Sequence, residues 1–417
     1  MQKNLLMVLL VLSISISNAF GSGFYIYEHS AKATSMCGAF AAQANDVTAV
    51  FYNPAGITQL SGWNFTAGGT YIVPMASFTG PISVDPNWYS ETNQWNFFPP
   101  NLHASYAITD RFSAGFGVFV PFGLGTDWGE NWIGKHLTTE AEVQTIYLNP
   151  VIAYEVTEGL SLAAGLSYIL GSITLEQAAY FTPRNIWGLA HLSGDANAVA
   201  YNFAVRYQAT EKLAIGATYR SSAKLDIDGE AKFNFPKSSN PIINAELEAL
   251  FPETKGTSSI ELPVFIVGGI SYDIFDNLTA EFDYFYTGWS SYNELAVDFA
   301  TETAAVTDLK SEKDWKDVYS LRLGLEYRWN ENFALRSGIM RDYDPAPDET
   351  VDPLLPSSDR WLYAVGGGYK FNAFTIDLAY MLLLQDDRSI RTSHIPFNGD
   401  YKSFAHLFGI NLSYSIN

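Results

Sequence analysis

The sequence predicts an all-β protein: a transmembrane antiparallel β-barrel of about fourteen strands, with its N-terminal segment held inside as a plug. Three observations predict it. Apolar residues recur with period two in about fourteen segments, each near the roughly ten residues of a tilted membrane strand. The connections between those segments alternate between short and long. No stretch reaches the roughly 18 consecutive apolar residues of a membrane helix, although the chain begins like an exported one.

Residues 1–21 read as a secretory signal, with Lys3 as the positive region and 5–16 as the apolar run. Small residues at Ser17-Asn18-Ala19 or Ala19-Phe20-Gly21 offer cleavage after position 19 or 21. The next stretch, 22–61, lacks the strand period and ends in Asn53-Pro54-Ala55-Gly56. Pro54 fixes its own φ and pushes Asn53 out of the helical region, and Gly56 lets the backbone reverse. This turn closes the plug and opens the barrel, which occupies 62–417.

Composition limits the alternatives. With 47% hydrophobic and only 16% charged residues the chain is not disordered. A net charge of −20 speaks against nucleic acid, which requires a basic face. The single cysteine, Cys37, excludes an internal disulfide and a Cys-rich metal site, and reads as a small buried plug residue.

The strand series opens with Trp63, Phe65, Ala67, Tyr71 and Val73, alternating with Asn64, Thr66 and Thr70. It includes Leu262, Val264, Ile266 and Ile270 on one lipid-facing row, and closes with Phe404, Phe408, Ile410, Leu412 and Tyr414. Many rows start or stop in Tyr or Trp, as interfacial girdles do. Short connections such as Thr109-Asp110-Arg111, Thr157-Glu158-Gly159 and Thr210-Glu211-Lys212 alternate with long ones at 77–97, 121–141, 175–196, 229–257, 291–316, 343–358 and 386–401. A soluble sandwich has no reason to sort its loops this way; an outer-membrane barrel does, with short periplasmic turns and long outer loops. Closure leaves no strand edge free, so a monomer is expected.

The opposite strand face carries Glu155, Arg206, Arg220, Lys224, Glu281, Asp283, Arg322, Glu326, Arg336, Lys370 and Asp377. On the lipid face each would be costly, so they belong in the lumen. Ion pairing accounts for most of them, and the cations Arg206, Arg220, Lys224, Arg322 and Arg336 are the candidates to meet an anionic solute. Two long loops are strongly apolar, with Tyr180, Phe181, Ile186, Trp187 and Leu192 in one and Ile243, Leu247, Leu250 and Phe251 in the other. Residues 241–251 have helical spacing. These loops pack on one another, form an outward groove that captures an apolar solute, or do both. On the third strand, Gly115 and Gly117 face inward and Pro121 follows. Glycines here mark either a bulge that opens the wall or room for the plug.

With these residues in hand, the chain resembles the outer-membrane long-chain fatty-acid and aromatic-hydrocarbon transporter family (FadL/TodX-type) over essentially its whole mature length. Ser22-Gly23-Phe24 is similar to the family's mature start, and Gly38-Ala39-Phe40, Asp46 and Asn53-Pro54-Ala55-Gly56 to its hatch. Val120-Pro121-Phe122-Gly123-Leu124, Trp289-Ser290, Asp314-Trp315-Lys316-Asp317 and 353–360 also match. The resemblance implies capture of a hydrophobic small molecule at the outer loops and binding inside the barrel. A shift of the N-terminal segment then lets the solute leave sideways beside Gly115, Gly117 and Pro121. It implies outer-membrane lipids, lipopolysaccharide and the barrel-assembly machinery as partners, and no cofactor. The chain ends Tyr414-Ser415-Ile416-Asn417 instead of in the family's usual aromatic residue, though Tyr414 and Ile416 keep the alternation.

Two other functions fit part of the pattern. A water-filled porin would lack the plug. An outer-membrane lipid hydrolase would need a Ser–His pair; His103 and Ser105 share a face on one strand, but same-face neighbours are common and none of the six histidines sits in a recognisable catalytic motif. The acidic loop residues Asp342, Asp344, Asp348, Glu349 and Asp352 lack the spacing and glycine of an EF-hand, so no metal site is expected.

Overall fold

Fourteen strands follow one another around a closed sheet in the structure, a computed structural model that describes residues 23–416. The expected signal segment and Ser22 lie outside the described residues. The strands are β1 (Trp63–Thr79), β2 (Pro100–Ala107), β3 (Phe112–Phe119), β4 (Glu140–Thr157), β5 (Leu160–Phe181), β6 (Ile186–Thr210) and β7 (Leu213–Arg220). They continue as β8 (Phe265–Phe275), β9 (Leu278–Thr287), β10 (Val318–Arg328), β11 (Phe333–Asp342), β12 (Arg360–Phe371), β13 (Phe374–Gln385) and β14 (Asp400–Ile416). Each pairs antiparallel with the next, and β14 returns to pair with β1 along its whole length, from Trp63↔Ile416 to Thr79↔Asp400. No helix among the described residues is long and apolar enough to cross a membrane. Closure is what makes spanning possible, because every ladder group finds a partner without water.

The outward row is apolar and exposed: Leu166, Val199, Phe203, Ile270 and Leu378 are each more than half exposed, as lipid-facing side chains are in an isolated chain. Tight turns join the strands at one end. At the other end the sheet runs on past the membrane. The expected loop 175–196 is the top of the β5–β6 hairpin, paired up to Phe181↔Ile186 and turned at Thr182–Arg184 with Asn185 left-handed. The expected loop 229–257 holds parts of two strands, Ala223–Asn234 and Thr254–Leu262, joined through the helix Pro241–Leu250, whose N-cap Asn240 accepts from the Ile242 N–H.

These extensions correct two facing assignments. The ladder breaks at Ser221 and Ser222, where Ser221 donates its N–H to the Tyr201 carbonyl and accepts the Tyr201 N–H on its hydroxyl. One extra residue flips every side chain beyond it to the other face. Ala223, Leu225 and Ile227 are therefore buried, while Lys224 points outward and pairs with Asp226 at 2.6 Å. Lys224 is not a lumen cation. Leu262, below which Pro263 and Val264 interrupt the partner strand, is likewise inward and buried instead of facing lipid.

Residues 23–60 lie inside the barrel. They carry short helices at Ala31–Thr34 and Ala49–Tyr52 and a 3-10 turn at Pro54–Gln59. Nearly all of their apolar side chains are buried, including Cys37. Gly56 does not reverse the chain by a positive φ; its role is close approach, since a Cβ there would lie 2.1 Å from the Ala44 carbonyl oxygen. The reversal into β1 falls at Gly62, φ +59°.

Candidate functional site

The lower lumen is an anchor for the N-terminal segment. Asp283 accepts the Phe40 and Ala41 N–H groups on one oxygen, both at 3.0 Å. Glu281, two residues before it on β9, accepts the N–H groups of Ala42 at 2.6 Å and Gln43 at 3.1 Å. Arg206 donates from Nε to the Ala42 carbonyl at 2.8 Å. Successive inward residues of a strand are thus matched to successive groups of one turn, which only the period of two allows. Asn53 ties the same turn from the other side: its Nδ2 donates to the carbonyls of Ala41 (2.6 Å) and Val205 (3.0 Å), and its Oδ1 caps Ala55. Pro54 at the first position of the 3-10 turn needs no N–H partner, and Ala55 and Gly56 are buried behind it.

The expected lumen cations divide. Arg336 bridges Glu326 and Asp377 at 2.7 Å each, and Lys32 of the N-terminal segment lies 3.6 Å from Glu326. Arg220 and Arg322 make no carboxylate pair among the described residues. Arg322 stacks on Phe285 (4.1 Å) and Tyr27 (4.5 Å) and points toward the Gly38 carbonyl; Arg220 lies against Phe51 and Phe119 and reaches the Phe51 carbonyl and Ser167. Both brace the segment. His103 and Ser105 are buried on the lumen side of the strand, with the His103 ring beside Phe119.

Higher in the wall the sheet is interrupted. The β2–β3 ladder ends at Leu102↔Val118, and the next backbone bond between these chains is Asn93 N–H to the Asp127 carbonyl, 2.7 Å. In between, β3 stops at Phe119, passes through Val120, Pro121 and Phe122, and resumes at Gly123–Asp127 against β4. The N-terminal segment serves the freed groups: Ile26 N–H donates to the Pro121 carbonyl at 2.8 Å, and Gly123 N–H to the Phe24 carbonyl at 3.1 Å. The ring of Phe97 covers the gap over Gly125, where a Cβ would meet it at 2.0 Å. Behind lies a cavity of about 230 Å³ lined by Phe24, Tyr25, Phe97, Pro99, Glu28 and Arg360 among others. Phe24 is seated among Trp289 (4.8 Å), Trp315 (6.0 Å), Tyr292 and Phe122, directly after Gly23. The expectation of an interruption at Gly115 and Gly117 is corrected by one turn of the ladder. Both glycines sit in unbroken pairing on either side, and a Cβ at either would strike Val50 (2.8 and 3.0 Å). They make room for the segment; Pro121 alone of the three belongs to the break.

The apolar loop residues also separate. Phe181, Leu247 and Phe251 are buried around Val306, with Ile186, Ile243 and Leu250 packed against them, so they are the core of the loop cap. Tyr180 and Trp187 stack at 4.5 Å on its exposed side, under Lys135. Leu192 alone among the nine faces a second cavity, about 560 Å³, lined also by Leu175, Leu295, Leu309, Leu354 and Ile395. Sequence reading missed this cavity because its wall is drawn from five separate loops, with one to three apolar residues from each. The four aspartates of the acidic loop are paired, and Glu349 is not: Arg388 holds Asp344 (2.6 Å) and Asp348 (2.7 Å), Lys313 holds Asp352, and Arg360 holds Asp342. No cluster of metal-ligating residues occurs among the described residues.

A closed fourteen-strand barrel with an apolar belt, a filled lumen and two apolar-walled cavities defines an outer-membrane transport protein. The chain belongs to the outer membrane protein transport protein family (OMPP1/FadL/TodX), whose model matches residues 11–416. It is 26% identical to the long-chain fatty acid transport protein of Salmonella typhi, across 97% of this chain and 96% of that one. It is 24% identical to outer membrane protein P1 of Haemophilus influenzae, across 90% and 91%. In fold it is similar to the crystal structure of a Pseudomonas aeruginosa FadL homologue (TM-score 0.84, 18% identity, 95% and 100% coverage). It is also similar to the Pseudomonas putida toluene transporter TodX (TM-score 0.71, 17% identity, 95% and 99% coverage).

Proposed function

We propose that this protein carries hydrophobic compounds across the outer membrane by a lateral route. The solute enters the outer cavity beside Leu192, passes to the inner cavity behind Phe24, and leaves into the bilayer between β2 and β3. The observation that carries the reading is the interrupted β2–β3 ladder, closed from inside by Phe24 and Ile26 and backed by a cavity. Unpaired backbone groups facing lipid cost several kcal/mol each, so a wall break persists only where something satisfies them. Here the satisfying groups belong to the N-terminal segment, and its displacement opens the path. An apolar solute gains by leaving into lipid instead of the periplasm.

In this reading the N-terminal segment 22–61 is the hatch, cleaved from a signal at 1–21. The protein works as a monomer among lipopolysaccharide and outer-membrane lipids, delivered there by the barrel-assembly machinery. Two measurements test it together. Uptake of a labelled apolar solute should fall on deletion of the protein and return on its expression, and planar bilayers should show no porin-sized conductance. Steady large conductance with no effect on uptake would replace this reading with a general porin.

A further inference from the structure

We infer that the solute carried by this protein bears no negative charge: an uncharged hydrocarbon-like compound, not a carboxylate amphiphile. The inference rests on the lateral-transport reading and adds the substrate class to it. It comes from the charges along the two cavities.

The outer cavity has apolar walls but an acidic border. Glu176, Glu312, Glu349 and Asp352 line it. Asp352 is neutralised by Lys313, but the only ion-pair partners of Glu176 and Glu312 among the described residues are histidines, His191 and His394, each at 3.6 Å, and Glu349 has none. The single lysine on the lining, Lys310, already holds Glu294 at 2.5 Å. The inner cavity repeats the pattern. Its lining carries Glu28, Glu142 and one cation, Arg360, whose guanidinium is held by Asp342 through two contacts of 3.0 Å. The three lumen arginines that make no carboxylate pair among the described residues, Arg206, Arg220 and Arg322, border neither cavity, and all are engaged by carbonyls or rings of the N-terminal segment.

A carboxylate head therefore meets like charge at entry and finds no free cation further in. A neutral solute loses nothing to either border and gains the apolar wall. A site built for a carboxylate would place a cation where its buried charge could be paired.

The test is one chain length with three heads. Octanol, octanoate and octylammonium are titrated at neutral pH against the full protein in nanodiscs, with empty nanodiscs subtracting partition into lipid. In low-salt buffer, where screening is weak, octanol should bind about tenfold more tightly than octanoate, the scale of a few like charges about a nanometre away in water. Octylammonium should bind at least as tightly as octanol. In the double variant Glu312→Gln, Glu349→Gln the octanol-to-octanoate ratio should fall to about threefold. Octanoate binding as tightly as octanol, octylammonium binding more weakly than octanoate, or an unchanged ratio in the double variant would each overturn the inference. Binding of none of the three overturns the transport reading beneath it.

Discussion

The backbone N–H of Ile26 donates to the carbonyl of Pro121 at 2.8 Å, which makes the N-terminal segment part of the barrel wall at the point where β3 breaks. Pro121 has no N–H to offer a neighbour, and the strand kinks there. The acceptor left over is served from inside the lumen, not from β2. One contact thus links the position of the plug to the integrity of the wall, and the anchors lower in the lumen set how firmly the plug is held.

Asn53 is the first of those anchors. Asn53→Ala removes the cap on Ala55 and two donors to the Ala41 and Val205 carbonyls. Loss of a cap and of buried hydrogen bonds should cost about 2–4 kcal/mol. The barrel ladder does not depend on Asn53, so heat-resistant migration of the folded barrel should persist. Planar bilayers should instead show brief conductance openings as the segment leaves its seat. A variant as electrically quiet as the wild type would mean that Asn53 does not hold the plug.

The carboxylate pair on β9 is the second anchor. In Glu281→Ala with Asp283→Ala, four backbone N–H groups, from Phe40 to Gln43, lose their side-chain acceptors. A buried donor left without a partner costs about 1–3 kcal/mol, so amide exchange in this turn should rise at least about tenfold. Exchange in the β5–β6 ladder should not change. Equal exchange in the turn would show that packing, not the carboxylates, holds it.

Much of this was legible in the sequence, and the misses share a cause. All fourteen strands and the short turns followed from period two, which a lipid-facing wall enforces on every strand. Glu281, Asp283, Arg206 and Arg336 were placed in the lumen by the same rule. Lys224 and Leu262 were misplaced because the rule assumes an unbroken strand, and Ser221-Ser222 inserts a residue that no hydrophobic pattern announces. Gly115 and Gly117 drew attention away from the true break because glycine marks both a bulge and a close approach, and only the partner, Val50, distinguishes them. Phe97 was invisible: its role depends on which strand residue lies opposite it across a gap.

Asp344 gives a pH dependence in the outer loops. Burial raises its carboxyl from 3.8 to about 6, against the opposing pull of Arg388. The folded loop therefore binds the proton more tightly than the unfolded chain does. Stability from this group is present at pH below about 4 and is lost as pH rises through about 6. Exchange in residues 343–358, corrected for intrinsic rate, should be slower at pH 5 than at pH 7.5, and Asp344→Asn should flatten the difference. A loop that tightens as pH rises would contradict the assignment.

The wall gap between Phe97 and Gly125 makes the last prediction the most direct. If solute leaves between β2 and β3, tying the two sides together must stop it, whatever happens in the outer loops. Phe97→Cys with Gly125→Cys places one thiol on each side of the opening, and the native Cys37 is fully buried in the lumen segment and out of reach of a reagent. Gly125→Cys alone introduces a Cβ where the Phe97 ring lies, but the paired substitution removes that ring, so the double variant avoids the clash. A short bis-methanethiosulfonate should join the two thiols and abolish uptake of a labelled apolar solute, and reductant should restore it. Binding in the outer cavity, bordered by Leu192 and Ile395, should survive the cross-link, because none of its wall comes from β2 or β3. A cross-linked barrel that still transports at the reduced rate would place the exit elsewhere, while one that loses binding as well would show that the link had distorted the whole fold.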